Sequence, residues 1–193
     1  MKFPKLSVRE IKFSGFVQFW SSFYNYSKEH LYSDRISKSQ FTRDDIENLF
    51  VWKNQIRLSR KKEKSLKEKI TDKLDIINKL KSKFCLNIFK SNFKKVSAIW
   101  KIHLLHIIAP QNYPIFDQHV YRAFCFLKKK ELKEIPDSNS IKERVYFGLY
   151  VKFFNSLAKS KDISYRKKID ESLWAFGKFL KSYGKFCKSK KKN

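Results

Sequence analysis

The sequence predicts an all-α protein, on two scarcities and one periodicity. Only four glycines and four prolines occur in 193 residues, too few to punctuate the many tight turns of a β-sandwich or barrel. Apolar residues recur at helical spacing, as in Leu66, Ile70, Leu74, Ile77 and Leu80, and no strand-like alternation persists long enough to build a sheet. At this length one compact domain is expected over residues 1–187, burying Phe, Leu, Ile and Trp without disulfide staples.

Taken in order, a first helical region is expected from about Ser7 to His30, aromatic on one side through Phe13, Phe16, Phe19, Trp20 and Phe23. A second begins at Thr42, whose hydroxyl can cap it, with Asp44 and Asp45 complementing the dipole. A long basic helix is expected from about Arg60 to Lys81, with a narrow buried stripe. Further helices are predicted at about Phe93–Ile107, Asp117–Lys128, Ser140–Ala158 and Tyr165–Tyr183, separated by Pro110, Pro114 and Pro136. The basic tail 188–193 has nothing to bury and is expected to be disordered.

Composition narrows the function. Lys and Arg number 44 against 18 Asp and Glu, a net charge of +26. Such a chain is expected to bind a polyanion, releasing its condensed counterions. Biased codon usage would raise Glu as readily as Lys, so a nucleic-acid surface is favoured over an anionic membrane. Cys85, Cys125 and Cys187 are odd in number and contain no C-x-x-C pair, which suits a reduced interior rather than a disulfide or zinc framework. Neither an apolar leader behind the charged start nor a membrane-length apolar window is present, so a cytoplasmic protein is expected. Both phosphate-cradling glycine motifs are absent. His103 and His106 stand one turn apart, with His119 as a third possibility, but no H-E-x-x-H motif accompanies them; neither metal nor cofactor is expected.

One segment invites chemistry. In Tyr113-Pro114-Ile115-Phe116-Asp117-Gln118-His119-Val120-Tyr121-Arg122-Ala123, a proline-stiffened loop delivers Asp117 to the start of a helix, where its carboxylate can accept backbone N–H groups. Capping alone is the plainer role for that Asp. The apolar run from Trp100 to Ile108 reads as a core helix packed behind the loop.

The pattern of helix, proline-containing loop and P-I-F-D-Q-H-V-Y-R-A resembles the catalytic segment of the helix-hairpin-helix DNA glycosylase superfamily. Ser97-Ala98-Ile99-Trp100 matches the helix leading into that loop. The stretch Arg166–Lys178 resembles the terminal helix of small 8-oxoguanine-glycosylase-like proteins, and Leu49-Phe50-Val51-Trp52-Lys53-Asn54 resembles a short motif in the same proteins. The resemblance implies a monomeric helical domain acting on double-stranded DNA with a flipped nucleotide, with Asp117 in the place of the family's catalytic Asp. Its substrate would be an oxidised purine, or a modified base of foreign DNA in a phage-defence role.

Two departures stand out. The family's glycine-rich hairpin is missing, since no glycine lies between Gly15 and Gly148. A degenerate hairpin is therefore expected, with Asn92 in the strained turn position and Lys94 and Lys95 supplying the phosphate contact. Bifunctional members place a lysine at the start of the hairpin's second helix, and no glycine register selects one here. A monofunctional, water-using enzyme follows, with Lys95 as the alternative amine.

Breaking an N-glycosidic bond builds positive charge on the sugar, which a fixed carboxylate stabilises in the transition state. The base must first leave the stack and meet an aromatic wall. Trp174 with Lys178 one turn on, and Trp52 with Lys53 and Asn54 beside it, pair a π surface with polar groups. The expected base-binding set is therefore Trp52, Asn54, His119 and Trp174; the expected phosphate-binding set is Lys53, Asn92, Lys94, Arg122 and Lys178. For Arg122 a structural ion pair is the other reading. The competing function is a noncatalytic basic helical protein that binds DNA or RNA by charge.

Overall fold

The computed structural model describes residues 11–129, 131–160 and 162–189, with side chains up to residue 182, and its regular structure is entirely helical. The elements are α1 (Phe13–Ser21), α2 (His30–Ile36), α3 (Arg43–Asn54), α4 (Arg60–Lys69), α5 (Leu74–Ser82), α6 (Leu86–Asn92), α7 (Ala98–Ile108), α8 (Gln118–Lys129), α9 (Asn139–Val145), α10 (Val151–Leu157) and α11 (Ile163–Ser189). No helix among the described residues is long and apolar enough to cross a membrane.

Thr42 starts α3 as its sequence context predicts. Its Oγ1 accepts from the Asp45 amide at 3.2 Å, while Asp45 Oδ2 accepts from the Thr42 amide at 2.9 Å, so two otherwise orphaned donors are satisfied reciprocally. Lys38 Nζ donates to the other oxygen of Asp45 at 2.6 Å and holds that buried carboxyl below its ordinary range. The helix α7 is apolar all round and buried along Ile102–Ile108, as a central helix must be. It packs on α5 and α9, while α11 lies across α8 and α1.

His103 and His106 serve this core. His106 Nδ1 donates to the Tyr113 carbonyl at 2.7 Å, leaving Nε2 to accept from the Tyr32 hydroxyl at 2.8 Å. His103 Nε2 donates to the Leu49 carbonyl at 3.0 Å. Burial drives both imidazoles toward the neutral form, His106 down to about 3.

Four boundaries differ from the sequence expectation. The first helical region splits: the chain turns after Ser21, where Ser22 Oγ donates back to the Phe19 carbonyl at 2.7 Å, and residues 22–29 run irregularly so that Tyr24 and Tyr26 face inward. Its expected start at Ser7 lies outside the described residues. The long basic helix breaks at Ile70 (φ −130°, ψ −65°) into a short 3-10 turn, Thr71–Lys73. Ile70 and Thr71, which flank the break, are both fully buried. The expected helix Ser140–Ala158 contains a π-helical turn at Tyr146–Tyr150, which buries both tyrosines. Finally, α11 continues through Lys188 and Ser189; the remainder of the expected tail, 190–193, lies outside the described residues.

The expected hairpin is a helix–connector–helix, α6 to α7, and it lacks the strained turn assigned to Asn92. That residue ends α6 in helical conformation, its side-chain Nδ2 donating to the Ile88 carbonyl at 2.8 Å and its backbone carbonyl accepting from Lys73. Among the described non-glycine residues only Gln55 has positive φ, at 65°. A five-residue connector, 93–97, lets Phe93 and Val96 reach the core, and no glycine turn is required.

Candidate active site

Asp117 caps α8. Its Oδ1 accepts from the amides of His119 at 2.7 Å and Val120 at 3.0 Å, while Oδ2 accepts no hydrogen bond from the described residues. The incoming loop is pinned behind it: Tyr146 Oη donates to the Pro114 carbonyl at 2.9 Å, and Ile115 and Phe116 are buried. The carboxylate is therefore positioned by its own backbone and left with one oxygen unused.

That half-buried carboxylate lines a cavity to which three further segments contribute. From α3 come Trp52 and Lys53; α11 supplies Asp170 and Trp174, one turn apart and so on one face; the 22–29 segment supplies Tyr24 and Tyr26. Four residues singled out from sequence, Trp52, Lys53, Asp117 and Trp174, thus meet in space from three distant stretches of chain. The free space is about 20 Å³, enough for a water molecule and far short of a nucleobase.

The tyrosines account for the small volume. Tyr26 sits edge-on to both indoles, its ring centroid 5.7 Å from Trp52 and 6.3 Å from Trp174, and its hydroxyl donates to the Trp52 carbonyl. Tyr24 packs edge-on to Trp174 at 5.3 Å. Glu29 ties this cover down: Oε2 accepts from Tyr24 Oη at 2.6 Å and from Trp52 Nε1 at 3.1 Å, while Lys167 pairs with Oε1 at 2.9 Å. Burial raises both phenols, Tyr26 to about 12, so they stay neutral donors.

Two ionisable side chains share the interior with Asp117. Lys53 Nζ donates to the Phe116 carbonyl at 2.9 Å; burial lowers its pKa, against the pull of Asp117 and Asp170. Asp170 is 5% exposed and its Oδ1 has no hydrogen-bond partner. Burial pushes its carboxyl up to about 8; Lys167 opposes that shift and Asp117 adds to it. A neutral carboxyl at pH 7 is both donor and acceptor.

Other expected site residues stand elsewhere. Lys53 turns inward and is no outward phosphate contact. Arg122 is buried, its guanidinium engaged by the Gly177 carbonyl at 2.9 Å and by both oxygens of Glu134 at 2.9 and 3.0 Å; the structural ion pair holds it. Asn54 shapes the turn after α3, donating to the Ile56 carbonyl at 2.9 Å and accepting from Lys62 at 2.7 Å, so it does not face the cavity. Lys94 and Lys95 are exposed on the connector and do not line the cavity, which removes Lys95 from Asp117's surroundings. His119 packs edge-on to Trp174 at 5.1 Å, and Lys178 projects from the surface with its ammonium 4.9 Å over the same indole. Sequence reasoning missed Asp170, Tyr24, Tyr26 and Gln55. Only Asp170 carried a signal, an acid one helical turn before the chosen Trp174.

Comparison with protein-family models, with curated proteins and with solved structures finds no match to the chain.

Proposed function

We propose that the protein is a DNA glycosylase that draws one damaged or modified base from duplex DNA and hydrolyses its N-glycosidic bond. The observation that carries this reading is the geometry of Asp117: one oxygen spent on the α8 amides, the other bare, in a cavity walled by indoles from two helices. A carboxylate so fixed stabilises an oxocarbenium-like sugar without reorganising, and can orient the attacking water for which the cavity has room. Trp52 and Trp174 would stack on the everted base once Tyr26 withdraws from between them, and Asp170 would meet its polar edge. The net charge of +26 supplies attraction to the phosphates, with exposed Lys178 beside the site. An oxidised purine, or a modified base of invading DNA, is the substrate class that the family resemblance implies.

The test is a panel of lesion-bearing duplex oligonucleotides, incubated with the protein and then treated with hot alkali to reveal abasic sites. Asn caps helices as well as Asp, so Asp117→Asn is expected to fold and to bind duplex with equal or higher affinity. Its base release should fall by at least about 10²-fold, the scale of losing one preorganised electrostatic group. Release unaffected by the substitution, or absent from the parent protein on every lesion, would leave a noncatalytic basic DNA or RNA binder.

A further inference from the structure

We propose that α1 and α11 carry a second site, independent of the glycosylase reading: an aromatic ledge that binds single-stranded nucleic acid by stacking.

The two helices meet through rings. Phe16 and Trp20 of α1 lie 5.4 and 5.0 Å from Phe176 of α11 between centroids, and that contact anchors α1. Other rings of the same segment stay in solvent. Phe19 is 52% exposed, and Phe23, just past the helix end, is 59% exposed, although a helix that needed only to cover α11 would carry polar residues at both positions. Their rings stand 5.1 Å apart, and Phe19 lies edge-on to Trp20 at 5.3 Å. Trp20 in turn meets Phe179, itself 45% exposed, at 5.3 Å. Three exposed phenyl rings are thus braced around one half-buried indole. Apolar side chains gathered in this way mark an interaction surface, whereas single exposed ones need no explanation.

Charge selects the partner. The sequence holds no Asp or Glu between Glu10 and Glu29, nor any beyond Glu171, so the two stretches that form the ledge contribute cations and no carboxylate. Lys12 is exposed just before α1, and Lys178 and Lys181 are exposed beside Phe179, three residues apart and so on one face of α11. The residues interleaved with the rings, exposed Gln18 and Ser22, can hydrogen-bond base edges but would lose solvation in lipid hydrocarbon. A duplex keeps its base faces inside the stack, while unpaired bases offer theirs. Rings that stack on bases, with lysines alongside for the phosphates, hold single strands without regard to sequence.

The experiment uses the full chain and two fluorescein-labelled strands, each roughly 12 nucleotides long: oligothymidylate, and a strand of equal charge in which every nucleotide is abasic. Neither carries a lesion to excise, so the result is separate from glycosylase activity. Anisotropy titrations are expected to show oligothymidylate binding at least about fivefold more tightly, the scale of one ring–base stack. Phe19→Ala combined with Phe23→Ala should remove that preference, while Leu149→Ala, at an exposed apolar residue outside both helices, should keep it. With 5-iodouracil in the strand, photo-cross-links on the parent protein should map to Phe19, Trp20, Phe23 or Phe179, which leaves the test intact if the double variant fails to fold. Equal affinity of the parent for both strands would mean attraction by charge alone and overturn the proposal. A folded double variant with the parent's preference would overturn it too. Vesicles containing phosphatidylserine supply the last arm: capture that needs Phe19 and Phe23, without any preference for bases over the abasic strand, would assign the ledge to a membrane surface instead.

Discussion

Gly177 and His119 bring the two site-bearing helices into backbone contact: a β-carbon at Gly177 would lie 1.9 Å from the His119 carbonyl oxygen and 2.6 Å from its carbonyl carbon. The Gly177 carbonyl accepts from Arg122 on the same contact. This seam sets the distance between the N-terminus of α8, where Asp117 sits, and the face of α11 that carries Asp170 and Trp174.

Gly177→Ala must therefore push α11 off α8, since backbone offers no soft neighbour to yield. Overpacking of this kind costs about 3 kcal/mol, and a thermal melt should show Tm lowered by roughly 6–12 °C for a chain of this size. Base release should fall more than stability does, because the shift separates Asp117 from Trp174. An unchanged Tm would mean that the helices do not approach as described.

Arg122→Lys tests the same seam by chemistry rather than volume. A lysine cannot bond the Gly177 carbonyl and both Glu134 oxygens in one plane, and a buried carbonyl loses its donor. A loss of about 2 kcal/mol in a denaturant titration is expected. Duplex affinity should be unchanged, since this cation is engaged inside the protein.

Glu29→Ala removes the acceptor shared by Tyr24, Trp52 and Lys167. The cover formed by residues 22–29 should then open more often. Amide hydrogen exchange across that segment is expected to quicken by at least about tenfold, with exchange in α7 unaltered. Equal rates in parent and variant would show that Glu29 does not hold the cover.

Stability should depend on pH in a way that identifies Asp170. Its pKa rises from 3.8 in the unfolded chain to about 8 in the fold, so between those values the folded protein holds a proton the unfolded chain has released, and stability falls as pH rises. His103 and His106 lean the other way. Their folded pKa values lie below 6.5, so the unfolded chain gains protons as pH drops under 6.5 and stability falls with it. These three groups together place the optimum near pH 6.5. Asp170→Asn should raise Tm, and should shrink the decline between pH 6.5 and 8 by at least about 2 °C; a variant with the parent's slope would show that Asp170 is already ionised in the fold.

Much of this was legible in the residues. The cap at Thr42 and the helix start at Asp117 follow from local hydrogen-bonding capacity, and the buried α7 from an apolar run too long and too uniform for a surface helix. Trp52 and Trp174 satisfy one criterion, a ring coupled to nearby polar groups, and both line the cavity. Asn54 met the same criterion and turned to its own loop, because an Asn beside a left-handed residue finds backbone partners closer than any ligand. The break at Ile70 was not legible, since the apolar periodicity continues through it and no proline or glycine marks it.

The sequence by itself determined an all-helical chain, its strong positive charge and an acid fixed at a helix start, because propensity, charge and capping act over a few residues. The tertiary structure alone decided which groups Asp117 meets. Lys53, Asp170 and Tyr26 lie dozens of residues from it in the chain, and only the packing of α3 and α11 around the Pro114 loop sets them on one small cavity, where desolvation shifts the acid and the amine in opposite directions.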